Sequence, residues 1–514
     1  MKRAMRTLSR AFLLAAAVAT ATAPAQSTWS IIVCNTRTRE VTIAGATCLA
    51  SFNLRQALPV MKVGIGGGCS QSLVDSGFVY RPAMWNGLGA GLSPQEILNS
   101  LLSDPTINSR QLGIVNMDDA PVTFSGTFVG PALPGVTGIA GDIRYAIQGN
   151  LLAGDEPVLM AELALLNTPG DMTQRVMAAM EAARAWGGDG RCSCPGGVAP
   201  CPPLPPPAPF KSAHVGFFLS SRLGDTGGAQ CTQGTGCAAG QFYLAFNIIG
   251  SGVDVDPVLQ MQQQYTVWRA NLVGRPDHLL STVTAPAQSL VADGLSSTTV
   301  TVRLRDVDGH PLASGGAALT LTQVSGAPSV TTPSAIVDHG DGSYSFSLRA
   351  GAASGLDRWR VVVNDGVAPV RLHPEFELRV DALAPLHVGV DTYSAAAARS
   401  SVPLWVNLGA SRSRRPYMLL ASTGGTQPGL PFAGAQLPLN ASPLLNLSYT
   451  SFNSATFSRT FGLLTRQGRA EASFSPDGAL ALGLVGSRVD WAGVVFDPLN
   501  GTAVLGPVGF DVLP

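Results

Sequence analysis

Lysine is almost missing from this sequence: Lys2, Lys62 and Lys211 are the only three, and arginine carries nearly all of the positive charge. Acidic and basic residues balance to zero. That balance argues against a nucleic acid or an anionic membrane as a partner held by bulk charge. Histidine is scarce too, and His214 is the only one ahead of Pro276. A Ser-His-Asp triad needs a histidine base, and nothing sets a serine nucleophile beside His214. No GxSxG elbow, HExxH helix or phosphate loop ending in GK[ST] occurs. Asp338 and Asp341 with their glycines fail the ligand spacing of a calcium loop, so a tight turn is expected there. No cofactor or metal is expected. Cysteine is absent after Cys237. Past the first 27 residues, no apolar run is long enough for a transmembrane helix.

One apolar run is present at the start. Lys2, Arg3, Arg6 and Arg10 precede the apolar residues 11–19, and Ala23-Pro24-Ala25 closes the segment. This is the pattern of a secretory signal peptide over residues 1–27, with cleavage after Ala25 or after Ser27. The expected location is secreted: periplasmic, extracellular or at the cell surface. The roughly 490 residues that follow are too many for one core, so two to four domains are expected.

The eight cysteines are Cys34, Cys48, Cys69, Cys192, Cys194, Cys201, Cys231 and Cys237. An even count in an exported chain suggests disulfides, with the last five stapling an insertion. A zinc site is the rival reading, weakened by the single histidine and the lack of paired CxxC spacing.

Residues 28–34 and 40–47 read as a β-hairpin, and residues 60–68 as a strand ending in a glycine run. Ser93-Pro94-Gln95-Glu96 opens a helix with a capping box. Strands are expected at residues 110–116, 121–128 and 142–148, then helices at 156–166 and from Asp171 onward. The polyproline stretch after Cys201 reads as a surface loop. Strands return at 212–220 and 241–249, before a helix from Asp256-Pro257 to about residue 272. The order fits a layered α+β domain. After Pro276 helical periodicity stops. Alternating segments such as Thr299-Val300-Thr301-Val302-Arg303-Leu304 and Trp359-Arg360-Val361-Val362-Val363 point to a β-sandwich. Residues 385–514 read as a second one, with Leu419-Leu420-Ala421 and Gly493-Val494-Val495-Phe496 as core strands.

Several segments occur together in a telling order. They are Thr28-Trp29-Ser30-Ile31-Ile32-Val33, Pro59-Val60-Met61-Lys62-Val63-Gly64-Ile65-Gly66, Gly91-Leu92-Ser93-Pro94-Gln95-Glu96, Gln148-Gly149-Asn150-Leu151-Leu152-Ala153-Gly154, Gly188-Asp189-Gly190-Arg191 and Asp254-Val255-Asp256-Pro257-Val258. This series resembles the bacterial family called domain of unknown function 1028, placed among N-terminal-nucleophile (Ntn) hydrolase-like proteins. Gly340-Asp341-Gly342-Ser343-Tyr344 resembles bacterial Ig-like (invasin- or filamin-like) repeats. The resemblance implies an Ntn-hydrolase-like αββα sandwich at residues 28–276 and an Ig-like β-sandwich at 281–381, while the β-sandwich-like domain expected at 385–514 rests on its strand pattern.

The Ntn resemblance also implies a chemistry. The first mature residue is the nucleophile and its own α-amine, titrating near pH ~8, is the base. Thr28 is the candidate if processing exposes it, and otherwise a β-branched strand residue. Lys62 either tunes that amine by like-charge repulsion or is an edge lysine. Asn150 either holds an oxyanion or makes an Asx turn. Ser70 and Gln71 would line the same pocket. Asp189 and Arg191 form a structural pair or a carboxylate clamp for substrate, and the insertion from Cys192 onward departs from the family pattern there. The reading is a secreted Ntn-hydrolase-like protein cleaving an amide or peptide-like bond. The alternative is a non-catalytic binding or adhesion protein that uses the same domain as scaffold. The expected partner is an amide-containing substrate or a surface polymer.

Overall fold

The computed structural model describes residues 28–251, 253–287, 289–292, 294, 296–324, 329–351, 353–381, 385–397, 400–498 and 501–514. The expected signal peptide lies outside them. The chain divides into two units. One runs to Leu279 and takes in Asp306–Asp308; the other comprises Leu280–Arg305 and Gly309–Pro514.

In the first unit, β1 (Thr28–Asn35) and β2 (Val41–Thr47) pair antiparallel, as the hairpin pattern predicts. Then come α1 (Leu54–Ala57), β3 (Pro59–Lys62), β4 (Gly66–Ser72), α2 (Tyr80–Gly89), α3 (Pro94–Leu101), β5 (Arg110–Asn116), β6 (Val122–Ser125), β7 (Ala132–Ala140) and β8 (Ile143–Asn150). The unit closes with α4 (Glu156–Asn167), α5 (Met172–Ala185), α6 (Gly190–Ser193), β9 (Val215–Ser221), β10 (Leu244–Ile248) and α7 (Pro257–Ala270). Six strands form one sheet in the order β10-β9-β2-β1-β8-β7, and four form another in the order β3-β4-β5-β6.

Strand alternation explains how the two sheets are used. On β1, Ile31 and Val33 face one way and Ile32 and Cys34 the other, and all four are fully buried. Ile31 and Val33 pack with Val176 and Met180 of α5, Leu165 of α4 and Met261 of α7. Ile32 and Cys34 pack with Met61, Cys69 and Val115 of the four-stranded sheet. That sheet's remaining face meets Met84 and Leu88 of α2 and Ile97 and Leu101 of α3. A strand buried on both faces can carry consecutive apolar residues, which is why Ile31 to Cys34 of β1 read as an apolar run. The capping boxes of α3 (Ser93 with Glu96) and α5 (Asp171 with Gln174) form as their spacing predicts.

The expected strand over residues 60–68 is two strands. The chain reverses at Gly64, where φ is +69°, and the glycine run starts β4 instead of ending β3. Gly67 fits because a Cβ there would lie 2.6 Å from Ile43 Cδ1 of the facing sheet. Helices α1 and α2 carry no amphipathic pattern strong enough to read.

The second unit is β-rich. Strands Ser297–Arg303 and Ser343–Ala350 pair in one sheet, and Ala318–Gln323, Gly355–Asn364 and Phe376–Asp381 in another. Val300, Val302, Phe346 and Leu348 meet Trp359, Val361 and Leu378 in a shared core. Further on, Pro416–Ser422 pairs with Arg488–Val495, bringing Leu419 opposite Gly493. This part also holds helix Pro443–Thr450, which the β-like composition hides. Among the described residues no helix is long and apolar enough to cross a membrane.

Candidate functional site

Thr28 heads β1, in register with Asn150 on β8, and is 3% exposed. Its backbone carbonyl accepts a hydrogen bond of 2.9 Å from Gln71 Nε2 of the facing sheet. Gln71 Oε1 accepts one of 2.7 Å from Ser30 Oγ. Gln71 and Gln111 are register partners on β4 and β5, so their side chains share a face, and Gln71 Nε2 donates to Gln111 Oε1 at 2.7 Å. Gln111 Nε2 in turn donates to Gly149 O at 3.0 Å and Ser125 Oγ at 2.9 Å. Buried amides are costly unless paired, and this relay pairs them while tying the two sheets together at the Thr28 end.

Thr28, Ser70, Gln71 and Ser72 line a pocket whose apolar wall includes Leu49, Phe52, Leu54 and Leu58. Asn53 caps α1 through a bond from Gln56 N, which holds that wall. Ser70 Oγ and Ser72 Oγ are buried with no hydrogen-bond partner among the described residues. Ser72 sits at φ +76°, a left-handed conformation that a non-glycine residue adopts only when its surroundings impose it. The cavity volume is only about 10 Å³. That is room for about one water.

Lys62 is not brought to this pocket. It ends β3 opposite Gly66, while Ser70 and Gln71 stand four and five residues further along β4, roughly 13–17 Å at the usual rise. Its ammonium lies 3.8 Å from the Trp85 ring centroid, a cation–π contact. Partial burial pulls its pKa below the ordinary value. Asn150 is fully buried beside Thr28 and donates from Nδ2 to Val129 O at 3.3 Å.

Asp189 caps α6 and receives Cys48 N at 2.6 Å and Arg191 Nη2 at 2.9 Å. Arg191 also reaches Thr47 Oγ1 at 3.4 Å. The Cys48–Cys192 disulfide closes the same cluster. Thr47 follows Ala46, the register partner of Trp29, so this staple fixes the sheet end where Thr28 stands. Cys194–Cys201 and Cys231–Cys237 are local disulfides, and Cys34 and Cys69 are free and buried. Burial pushes both free thiols up to about 12, which makes them inert core residues. Cys48, Cys192 and His214 have ligand atoms within 4.8 Å of one another. With the two sulfurs bonded to each other, the thiolates a zinc ion needs are consumed. Burial first, and the Lys211 charge second, hold His214 below its ordinary pKa.

The sequence reading missed Ser72, Gln111 and Ser30. Two of them carry a signal in hindsight: Ser72 is in period-2 step with Ser70, and Ser30 with Thr28.

Residues 28–195 match the family model described as "Family of unknown function (DUF1028)", and residues 277–371 match "Invasin, domain 3". Among solved structures, protein SPO2555 from Silicibacter pomeroyi, itself described by the DUF1028 model, is similar over 47% of this chain and 88% of its own, at 15% identity and a TM-score of 0.34. The Yersinia pseudotuberculosis adhesin InvE is similar over 45% of this chain and 58% of its own, at 18% identity and a TM-score of 0.19. Invasin, described as a bacterial integrin-binding protein, is similar over 58% of this chain and 46% of its own, at 14% identity and a TM-score of 0.19. No curated protein matches the chain significantly.

Proposed function

We propose that this protein is exported and acts at a surface as a binding or adhesion protein, with the DUF1028-type domain as a rigid, disulfide-stapled scaffold ahead of β-sandwich modules. The observation that carries this reading is the match of residues 277–371 to an invasin domain. Three disulfides in the first unit support an oxidising destination. The test is protease treatment of intact cells of the native host, followed by fractionation. Digestion of the full chain on intact cells is expected. A protein found wholly in the cytosol, with reduced cysteines, overturns the reading.

A second reading keeps the Ntn-hydrolase-like αββα fold and makes Thr28 an N-terminal nucleophile. It is favoured by one specific arrangement: Thr28 heads β1 and lines a pocket with the unpaired hydroxyls of Ser70 and Ser72. Asn150 beside it would be the oxyanion donor. Lys62 over Trp85 would not tune the amine, and a one-water pocket would have to open for an amide substrate. Intact mass of the exported protein decides the terminus. A chain beginning at Thr28 that cleaves an amide panel, and a Thr28→Ala variant that does not, establish the enzyme. A chain beginning at Gln26 excludes it.

A further inference from the structure

Cys48, Cys192 and His214 come from three separate parts of the first unit, and their donor atoms lie within 4.8 Å of one another. The backbone holds them together as well as the disulfide does. Thr47 and Val215 are register partners on β2 and β9. Cys48, one residue past Thr47, and His214, one residue before Val215, therefore lie side by side at the end of that pair. His214 N donates to Thr47 O at 2.8 Å. Asp189, fully buried, holds the other two residues: its Oδ2 accepts from Cys48 N at 2.6 Å and its carbonyl from Cys192 N at 3.0 Å. Opening the S–S bond leaves all three residues pinned in place.

The imidazole is poorly matched in the oxidised state. His214 Nδ1 is buried with no hydrogen-bond partner among the described residues, and Nε2 faces Cys192 Sγ at 3.4 Å. A buried ring nitrogen without a partner calls for a reason. Cys48, Cys192 and His214 are all partly exposed, so a small thiol and a metal ion can reach them. In the other two disulfides one cysteine of each pair, Cys194 or Cys237, is buried. Neither of those pairs has a third ligand of this kind beside it among the described residues.

We propose that the Cys48–Cys192 disulfide is one state of a redox-gated zinc site, and that the other state is a zinc ion held by Cys48 Sγ, Cys192 Sγ and His214. A small-molecule thiol supplies the electrons: two RSH reduce the S–S bond to two protein thiols and leave joined as RSSR. Zinc then displaces one proton from each thiol, so two S–H bonds break, two S–Zn bonds form and the protons pass to solvent. Tetrahedral zinc, with bonds near ~2.3 Å to sulfur and ~2.0 Å to nitrogen, sets its ligand atoms ~3.5–3.8 Å apart. His214 Nε2 and Cys192 Sγ already stand at about that spacing. With the cysteine Cα atoms 5.7 Å apart, rotation about Cα–Cβ brings the freed sulfurs to it. The charge fits as well. Two thiolates cancel a divalent ion, so the loaded site is as neutral as the disulfide it replaces, and Lys211 and Arg191 around it are offset by Asp189 and Asp256. Sulfur and imidazole donors select zinc over magnesium or calcium, which take oxygen. The fourth position falls to water. The zinc clip joins residues 48 and 192 as the disulfide does, in surroundings where the disulfide is reduced. The site needs neither the adhesion nor the hydrolase reading.

The test is zinc retention by the full-length mature protein, oxidised and after phosphine reduction, measured by metal analysis after gel filtration. Expected are about one zinc per reduced chain, none on the oxidised chain, and a higher melting temperature with zinc for the reduced form alone. His214→Gln keeps the disulfide, so the oxidised variant should melt with the parent. After reduction its zinc affinity should fall at least about tenfold, since even the loss of an outer-shell partner costs that much. Cys48→Ser with Cys192→Ser should abolish retention, and Cys194→Ser with Cys201→Ser should leave it in place. The proposal is overturned if the reduced parent retains no zinc, if the oxidised parent retains as much, or if reduced His214→Gln binds as tightly as the parent. Zinc lost with the 194/201 pair instead of the 48/192 pair overturns it too, because unfolded or local thiols would then be the ligands.

Discussion

Gln71 holds the head of the central strand from the opposite sheet: its Nε2 donates 2.9 Å to the carbonyl of Thr28. The same amide accepts from Ser30 and donates to Gln111. Gln71→Leu removes both donors and the acceptor in one step and takes those bonds from Thr28 O, Ser30 Oγ and Gln111 Oε1. At about 1–3 kcal/mol for each abandoned group, a loss of about 3 kcal/mol is expected in urea unfolding. Gln71→Glu should cost at least as much at neutral pH, because its carboxylate would face two carbonyl oxygens. A change below about 0.5 kcal/mol in either variant would mean the relay does not join the sheets.

The disulfides differ in what they constrain. Cys48–Cys192 spans 144 residues, whereas Cys194–Cys201 spans 7. On loop-closure entropy the long link is worth about 5 kcal/mol and the short one about 2.5. Replacing Cys48 and Cys192 together by serine should therefore lower the stability of the first unit about twice as much as replacing Cys194 and Cys201. The right transition to follow is the one that shifts on reduction, since every cysteine lies in that unit. Equal effects would mean that the 194–201 loop contributes native contacts beyond its length.

Gln148 is fully buried on β8, and neither of its side-chain polar atoms has a hydrogen-bond partner among the described residues. An unpaired buried amide costs about 1–3 kcal/mol. Gln148→Met keeps the length of the side chain and removes that cost, so a gain of about 1 kcal/mol is expected in the same unfolding assay. A loss instead would reveal that an ordered water or a ligand pairs the amide in solution.

The strands and helices that were readable share one property: their signals are local. Capping boxes at Ser93 and Asp171 depend on residues three apart, and β1 and β2 on β-prone segments either side of the polar turn at residues 35–39. What was not readable depends on long-range packing. The glycine run looked like a strand ending, yet Gly67 is in mid-sheet because Ile43 of another sheet leaves no room for a Cβ. The same holds for the candidate site. Ser70, Gln71 and Thr28 converge because β4 lies across from β1, which sequence order alone made plausible. Lys62 belongs to the same hairpin as Ser70, but a strand carries residues away at about 3.3 Å per step, so nearness in sequence delivered it to Trp85. Asp189 and Arg191 sit where a motif suggested a clamp, bound to each other and to Cys48 and Thr47.

A buried charge cluster near the end of the first unit should make it acid-sensitive. Arg222 Nη2 lies 3.1 Å from Asp277 and its Nε 3.6 Å from Glu40. His278 lies 3.5 Å from Glu40 and 3.7 Å from Asp277. Burial works to raise both carboxyls, but His278 and Arg222 outweigh it and hold both below the usual carboxylate range. A folded-state pKa below the unfolded one means that the folded state binds fewer protons. The resulting stability is fully present above the unfolded values near pH ~4 and is lost as pH falls through the folded values. The parent protein should therefore lose stability steeply below about pH 4. Asp277→Asn should be less stable at pH 7, and its curve should fall less steeply with acid than the parent's. The measurement is urea unfolding from pH 7 down to pH 3. Parallel curves for the two proteins would place the acid-sensitive groups elsewhere.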